Sequence, residues 1–301
     1  MSASATTTLC PPTMASRIRD YVAIAKPRIA IMVLLTVCVG FVLGSEGVWQ
    51  PWALLHACIG VGLAATASNA LNQVIERETD GRMRRTRLRP LPTGRLQSNE
   101  VLLFGLSLAV LSTVYLLLTV NALTAFLTLA TIALYAGAYT PLKRQTAFCT
   151  AIGAVPGALP PVLGWAAAGA PLDLRALALF GILFVWQFPH FLAIAWIYRA
   201  DYSGAGLKML PANGRRGVVG CIAVAYALVL IPVSLLPRHL GVTGDVYVLT
   251  AILLGLMYAV AAVNFLWQEN DATARKLLWA SFAYLPTLLL VLTVDHVCLL
   301  Q

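Results

Sequence analysis

Charge is scarce in this 301-residue chain: Asp, Glu, Lys and Arg together supply 11% of it, against roughly 25% in soluble globular proteins. That shortage excludes a soluble globular domain, and a hydrophobic content of 59% excludes intrinsic disorder. Negative charge is the scarcer sign, 12 acidic residues against 21 basic ones. The six cysteines, at 10, 38, 58, 149, 221 and 298, form no CxxC pair, so zinc-site and dithiol spacings are missing and the cysteines read as small apolar side chains. There is no Gly-X-Y period and no solenoid repeat. The Ser- and Thr-rich start lacks the basic leader and small-residue cleavage site of a signal peptide and the arginines of a transit peptide. We read residues 1–20 as a flexible tail ahead of one membrane domain, 21–301.

What the chain has in abundance is apolar runs. They fall at about 29–45, 52–75, 100–120, 122–142, 147–169, 173–198, 217–236, 245–267 and 277–298, each long enough to cross a bilayer of about 30 Å as a helix. The third and fourth runs are nearly continuous and divide at Asn121, because a single helix of their joint length would overshoot the hydrocarbon by about a factor of two. The sequence therefore predicts an all-α, polytopic membrane protein of nine transmembrane helices. If the spans alternate, all the basic residues except Arg175 and Arg238 fall on one side. That asymmetry predicts a cytoplasmic N-terminus. It also gives the net charge of +9 a topological meaning, with no nucleic-acid partner implied.

Function should reside where connections are long and polar, at about 76–98 and 199–216. At the end of the second span, Asn72, Glu76 and Asp80 are spaced i, i+4, i+8, so on one helix each lies about 40° from the last and the three form a ladder of oxygen donors. Hard oxygen donors suit Mg²⁺, which keeps several waters and is completed by substrate phosphates. Two carboxylates at a helix C-terminus sit against its dipole unless a cation compensates. Arginines at 82, 84, 85, 87, 89 and 95 follow, with Pro90, Pro92 and Gly94 between them. Topology and anionic lipid account for part of such a run, and its density beside acids points to a diphosphate held by fork-like donors.

The sixth span carries Trp186-Gln187-Phe188-Pro189-His190-Phe191 and continues through Tyr198, Arg199, Asp201 and Tyr202 to Lys208-Met209-Leu210-Pro211. On one continuous helix, Gln187, His190, Tyr198 and Asp201 make a polar stripe with His190 about 16 Å deeper than Asp201. A lone intramembrane histidine often only bonds a neighbouring helix, whereas a stripe leading to an acid resembles a pocket wall. A third stripe, Tyr135, Tyr139 and Lys143 followed by Arg144, reads equally well as an interfacial anchor. His56, His239 and His296 lie toward the other side and carry no assigned role.

These strings resemble the UbiA-type intramembrane prenyltransferase superfamily over nearly the whole membrane domain. The string from Trp186 to Phe191, with Asp201-Tyr202 and Met209-Leu210-Pro211, resembles in particular its heme-modifying branch, the protoheme IX farnesyltransferases or heme O synthases. The resemblance implies a bundle around a central chamber, with two acid motifs at the cytoplasmic mouth and Mg²⁺ bridging them to an isoprenyl diphosphate. The implied reaction transfers a farnesyl group from farnesyl diphosphate to the vinyl group of protoheme IX (heme B). With a hydroxyl gained from water this gives heme O, for heme-copper oxidases. The implied partners are the lipid bilayer and a downstream heme A synthase or oxidase assembly factor, in a bacterial plasma (inner) membrane or, alternatively, a mitochondrial inner membrane.

Carried onto this sequence, Asn72, Glu76, Asp80 and Asp201 are the metal ligands and, with His190, the catalytic set. Arg84, Arg87, Lys143, Arg144 and Lys208 neutralise the diphosphate, while His190, Gln187 and Tyr198 face the heme. Two positions depart from the family pattern: Glu76 stands where Asp is common, and Asp201 has no second acid four residues on. A prenyltransferase acting on an aromatic or quinone precursor is disfavoured by the sixth-span string. A membrane heme transporter is disfavoured by the crowding of polar residues at one face, and a heme chaperone would need neither Mg²⁺ nor diphosphate.

Overall fold

The computed structural model describes residues 13–48, 50–208 and 217–300. Met209, Leu210, Pro211, Arg215 and Arg216 lie outside the described residues. Fourteen helices and no strand occur among those described. They are α1 (Met14–Ala25), α2 (Pro27–Gly44), α3 (Pro51–Ile75), α4 (Arg77–Arg82), α5 (Ser98–Thr119) and α6 (Ala122–Ile132). A π-helical segment, Ala133–Tyr139, leads from α6 into α7 (Thr140–Leu142). Then come α8 (Cys149–Ala158), α9 (Pro160–Ala167), α10 (Leu174–Ile197), α11 (Arg199–Gly204), α12 (Val218–His239), α13 (Asp245–Gln268) and α14 (Asp271–Leu299).

Among the described residues nine segments are long and apolar enough to cross a membrane: α2, α3, α5, α6–α7, α8–α9, α10, α12, α13 and α14. Local chemistry sets their ends. Proline opens α2, α3 and α9, where a missing N–H costs nothing. Asn121, in an extended conformation, accepts from the Thr124 N–H at 2.8 Å and so separates α5 from α6. Asp173 caps α10, and Asn270 with Thr273 forms a capping box on α14.

The residues expected to be a flexible tail include a helix. From Met14 the chain is helical, with Arg17 and Tyr21 both bonded to Glu100 and with Arg95 paired to the buried Asp20 at 3.1 Å. These long-range polar contacts tie α1 to α5 and to the loop before it.

In the bundle α3 packs on α5, α2 on α9, and α12, α13 and α14 follow one another in order, with α10 lying against α8, α12 and α14. Glycines allow the closest approach. A Cβ on Gly164 would lie 1.9 Å from the Val37 carbonyl oxygen, and one on Gly40 would lie 1.8 Å from that of Pro161, so α2 and α9 meet backbone to backbone. The outer faces carry exposed leucine, valine and phenylalanine, such as Leu103, Val110, Leu118, Phe126, Val260 and Leu290. A soluble protein would hide these side chains; a bilayer solvates them.

Candidate active site

The ladder of Asn72, Glu76 and Asp80 does not lie on one helix. α3 ends at Ile75, Glu76 adopts φ −89° and ψ 4°, and α4 begins at Arg77. The interruption answers the dipole problem, because Glu78 and Asp80 then occupy the first turn of a new helix, where negative charge is favoured. The sixth span repeats the device: α10 stops at Ile197, Tyr198 forms the junction at φ −103° and ψ 17°, and Asp201 sits in the first turn of α11. The continuous polar stripe from Gln187 to Asp201 is therefore broken at Tyr198.

The chain leaving α4 packs on α11 and on the residues that flank it. Met83, just after α4, is buried with Ala195, Tyr202, Ala205 and Leu207, and the Arg85 guanidinium lies 5.0 Å over the Tyr198 ring. The strand of chain after α11 docks through the Lys208 N–H, which donates to the Lys143 carbonyl at 2.9 Å. Asp201 itself is half-buried and makes no ion pair among the described residues.

Around the first acid motif the charges pair closely. Lys143 Nζ lies 2.8 Å from Glu76 Oε1 and 4.3 Å from the centre of the Tyr139 ring. Burial opposes the Lys143 charge, but the Tyr139 and Glu76 groups outweigh it and hold the ammonium above the ordinary lysine range. Arg89 donates to Asp80 Oδ2 at 2.6 Å, and Asp80 is fully buried. Burial pushes its carboxyl up, as does the nearby Glu76, against the pull of Arg89. Asn72 donates to Thr140 Oγ1 at 3.0 Å, and Thr140 in turn bonds the Tyr135 carbonyl, which fixes α3 against the end of the π-helical segment. Pro141, lacking an N–H, follows directly, so an unbroken α ladder cannot run through it.

The structure adds Lys26, a residue the sequence reading counted only toward topology. It forms the elbow between α1 and α2 in the left-handed region, φ 50° and ψ 64°. Asn69 and Gln73 of α3 grip that elbow by donating to the Ala25 and Ile24 carbonyls, each at 3.1 Å. Burial first, and then the nearness of Arg89 and Lys143, pushes the Lys26 ammonium down to about 8, against the pull of Glu76 and Asp80. Lys26, Arg89 and Lys143 thus share one polar centre with Glu76 and Asp80. The unusual backbone of a non-glycine residue before proline was the only local sign, and it is not visible in a sequence.

Other site residues fall differently. Arg84 and Arg87 are exposed and pair with no acid among the described residues, because the loop turns Arg89 inward instead. Arg144 lies 3.9 Å from the exposed Glu78, at the rim. Lys208 has an exposed side chain. Gln187 is buried and donates to the Ala154 and Leu183 carbonyls at 3.1 and 3.0 Å, which makes it a lock between α8 and α10. His190 is buried against Trp186, Phe191 and Phe282.

A divalent cation can be tested against this donor set. Among the described residues no three His, Cys, Asp or Glu side chains converge into an all-protein metal cage. Asp80 Oδ1, however, is buried with no hydrogen-bond partner, an arrangement that a hard cation sharing its shell with waters and phosphate oxygens would satisfy. The residues fit such an ion.

The UbiA prenyltransferase family pattern matches residues 33–285. A protoheme IX farnesyltransferase of Koribacter versatilis is 42% identical over 296 residues, covering 95% of this chain and 96% of its own. Its counterpart in Solibacter usitatus is 42% identical over 289 residues, covering 92% and 99%. Among solved structures, a digeranylgeranylglyceryl phosphate synthase superposes with a TM-score of 0.80 at 17% identity, over 94% of this chain and 99% of its own. A UbiA homolog from Archaeoglobus fulgidus bound to GPP and Mg²⁺ gives 0.67 at 16% identity, over 89% and 99%. A match through seven of the nine spans and parts of the first and last, with relatives aligned almost end to end, establishes that this chain belongs to the UbiA prenyltransferase family and is an intramembrane prenyltransferase.

Proposed function

We propose that the protein transfers a farnesyl group from farnesyl diphosphate to the vinyl group of heme B, forming heme O. The observation that carries the transfer site is the gathering of Lys26, Arg89 and Lys143 around Glu76 and Asp80, with Asp80 Oδ1 left unbonded inside the protein. The heme acceptor is supported by the names of the relatives and by the aromatic wall about His190.

Breaking the allylic C–O bond leaves negative charge on the departing diphosphate. Lys26, Lys143 and Arg89 lie where they would bind that charge, and donors fixed in a dry site stabilise it more than water would. Asp80 and Glu76 of the first motif and Asp201 of the second, with Asn72, would hold Mg²⁺, its shell completed by water and phosphate oxygens. When bound, the ion neutralises phosphate oxygens and polarises the leaving group. Arg144, Lys208, Arg84 and Arg87 form an outer basic rim that attracts the anionic headgroup. The bundle excludes bulk water from the allylic cation, and its lipid-facing sides admit two lipid-soluble substrates. His190 faces the heme, Tyr198 joins the two motifs, and Gln187 positions the His190 helix.

We place the basic end on the cytoplasmic side of a bacterial plasma membrane, following the charge asymmetry and the bacterial relatives. The test is to incubate purified protein with heme B, farnesyl diphosphate and Mg²⁺ in H₂¹⁸O and to analyse the extracted porphyrin by mass spectrometry. The expected product is a heme whose former vinyl group carries farnesyl on its outer carbon and one ¹⁸O hydroxyl on its inner carbon, reduced about 100- to 1000-fold in Asp80→Asn. Unmodified heme from the active preparation, or a fully active Asp80→Asn, contradicts the proposal.

A further inference from the structure

His190 lies seven residues before the end of α10, about 10 Å along the helix from the basic mouth. Its ring is stacked on Trp186 with centroids 4.7 Å apart, and the edges of Phe191 and Phe282 close on it at 5.5 and 5.3 Å. Among the described residues one hydrogen bond reaches it: Nδ1 is 2.7 Å from Ser281 Oγ, across the interface of α10 with α14. Ser281 is wholly buried, and its Oγ also lies 2.6 Å from the Leu278 carbonyl oxygen.

Those two distances fix a proton. A serine hydroxyl carries one hydrogen, and a carbonyl oxygen only accepts, so the Ser281 hydrogen points to Leu278. The bond to His190 must then run the other way, from Nδ1–H to a lone pair of Oγ. A neutral imidazole protonated at Nδ1 has a bare lone pair at Nε2, and Nε2 makes no hydrogen bond among the described residues. The Ser281 carbonyl also accepts from Trp186 Nε1 at 3.1 Å, so one residue of α14 orients both the histidine and the ring stacked on it.

We propose that Ser281 is a positioning residue that holds His190 as the Nδ1–H tautomer and so presents Nε2 to the iron of the heme substrate. The proposal rests on the reading of His190 as heme-facing and sharpens it. A nitrogen without a proton cannot donate to a propionate, but it is the form of histidine that ligates iron. Ser281 plays the part that a carboxylate or carbonyl plays behind most metal-bound histidines.

The test titrates purified full-length protein in nanodiscs with hemin, then records the iron–histidine stretching band by resonance Raman after reduction. The wild-type protein should show the band, and His190→Ala should lose it. Ser281→Ala should weaken hemin binding roughly 10-fold or more and displace the band, as loss of a partner behind a metal-bound histidine does. Ser281→Thr, which keeps the hydroxyl, should restore both, and farnesyl diphosphate binding should stay unchanged throughout. If His190→Ala keeps the band, the reading of His190 itself is wrong. If His190→Ala loses it while Ser281→Ala matches the wild type, that reading stands and the role of Ser281 is overturned. A measurement without variants guards against misfolding: ¹⁵N NMR of the histidine-labelled wild-type protein should find Nε2 of His190 unprotonated, and a protonated Nε2 overturns the proposal.

Discussion

At the scale of single residues, Lys26 is the most informative position. Its left-handed backbone costs on the order of 1 kcal/mol and persists because Asn69 and Gln73 hold the two carbonyls just before it. A lysine whose ammonium is pushed down to about 8 is charged below that pH and neutral above it. If it binds diphosphate, kcat/KM for farnesyl diphosphate should hold up to about pH 8 and fall as the pH rises further, since that ratio reports the free enzyme. Arginine stays charged throughout, so Lys26→Arg should abolish this alkaline limb. A limb that survives unchanged in Lys26→Arg would assign it to another group. Residue type and spacing drew the eye to the acids and Lys143 in the sequence. They did not single out Arg89 over Arg84 and Arg87, since which arginine of a basic run turns inward depends on the path of the loop after α4.

At the scale of elements, the two acid motifs share one construction, a long span, a one-residue break and a six-residue helix with its acid in the first turn. Four-residue spacing was legible as a ladder, but the breaks at Glu76 and Tyr198 were not, because nothing in the local residue types forbids a continuous helix. They follow from the cost of carboxylates at a helix C-terminus and from the packing of Met83 between the two ends. The contact of α2 with α9 is a second element-level device. Gly164→Val would drive a side chain into the Val37 carbonyl, and overpacking of this kind costs about 1–3 kcal/mol. Thermal unfolding in detergent should show a lower midpoint for Gly164→Val, whereas Gly137→Val, with open space around its Cβ, should match the wild type more closely. Equal midpoints would mean that the α2–α9 contact is looser than the backbone distances indicate.

At the scale of the whole molecule, hydropathy and charge made the architecture readable. Nine apolar runs and a one-sided distribution of arginine and lysine are long-range patterns that survive errors of a few residues at each end. Pairings between distant segments were not readable, as when Cys38 and Cys58 come to 3.7 Å between α2 and α3. The proposed orientation predicts that a membrane-impermeant maleimide labels an exposed Arg84→Cys variant, made in a background lacking the native cysteines, in inside-out vesicles and not in intact cells. Labelling in intact cells would reverse the topology.

The central claim joins the two halves of the bundle: acids on α4 and α11 act on one diphosphate headgroup. A double-mutant cycle tests it most directly, with the affinity of a non-hydrolysable farnesyl diphosphate analogue and Mg²⁺ measured calorimetrically for wild type, Asp80→Asn, Asp201→Asn and the double variant. The account predicts losses that depart from additivity by more than about 0.5 kcal/mol, as contacts to one shared ligand do; additive losses within that margin would place the two acids in separate sites and contradict it.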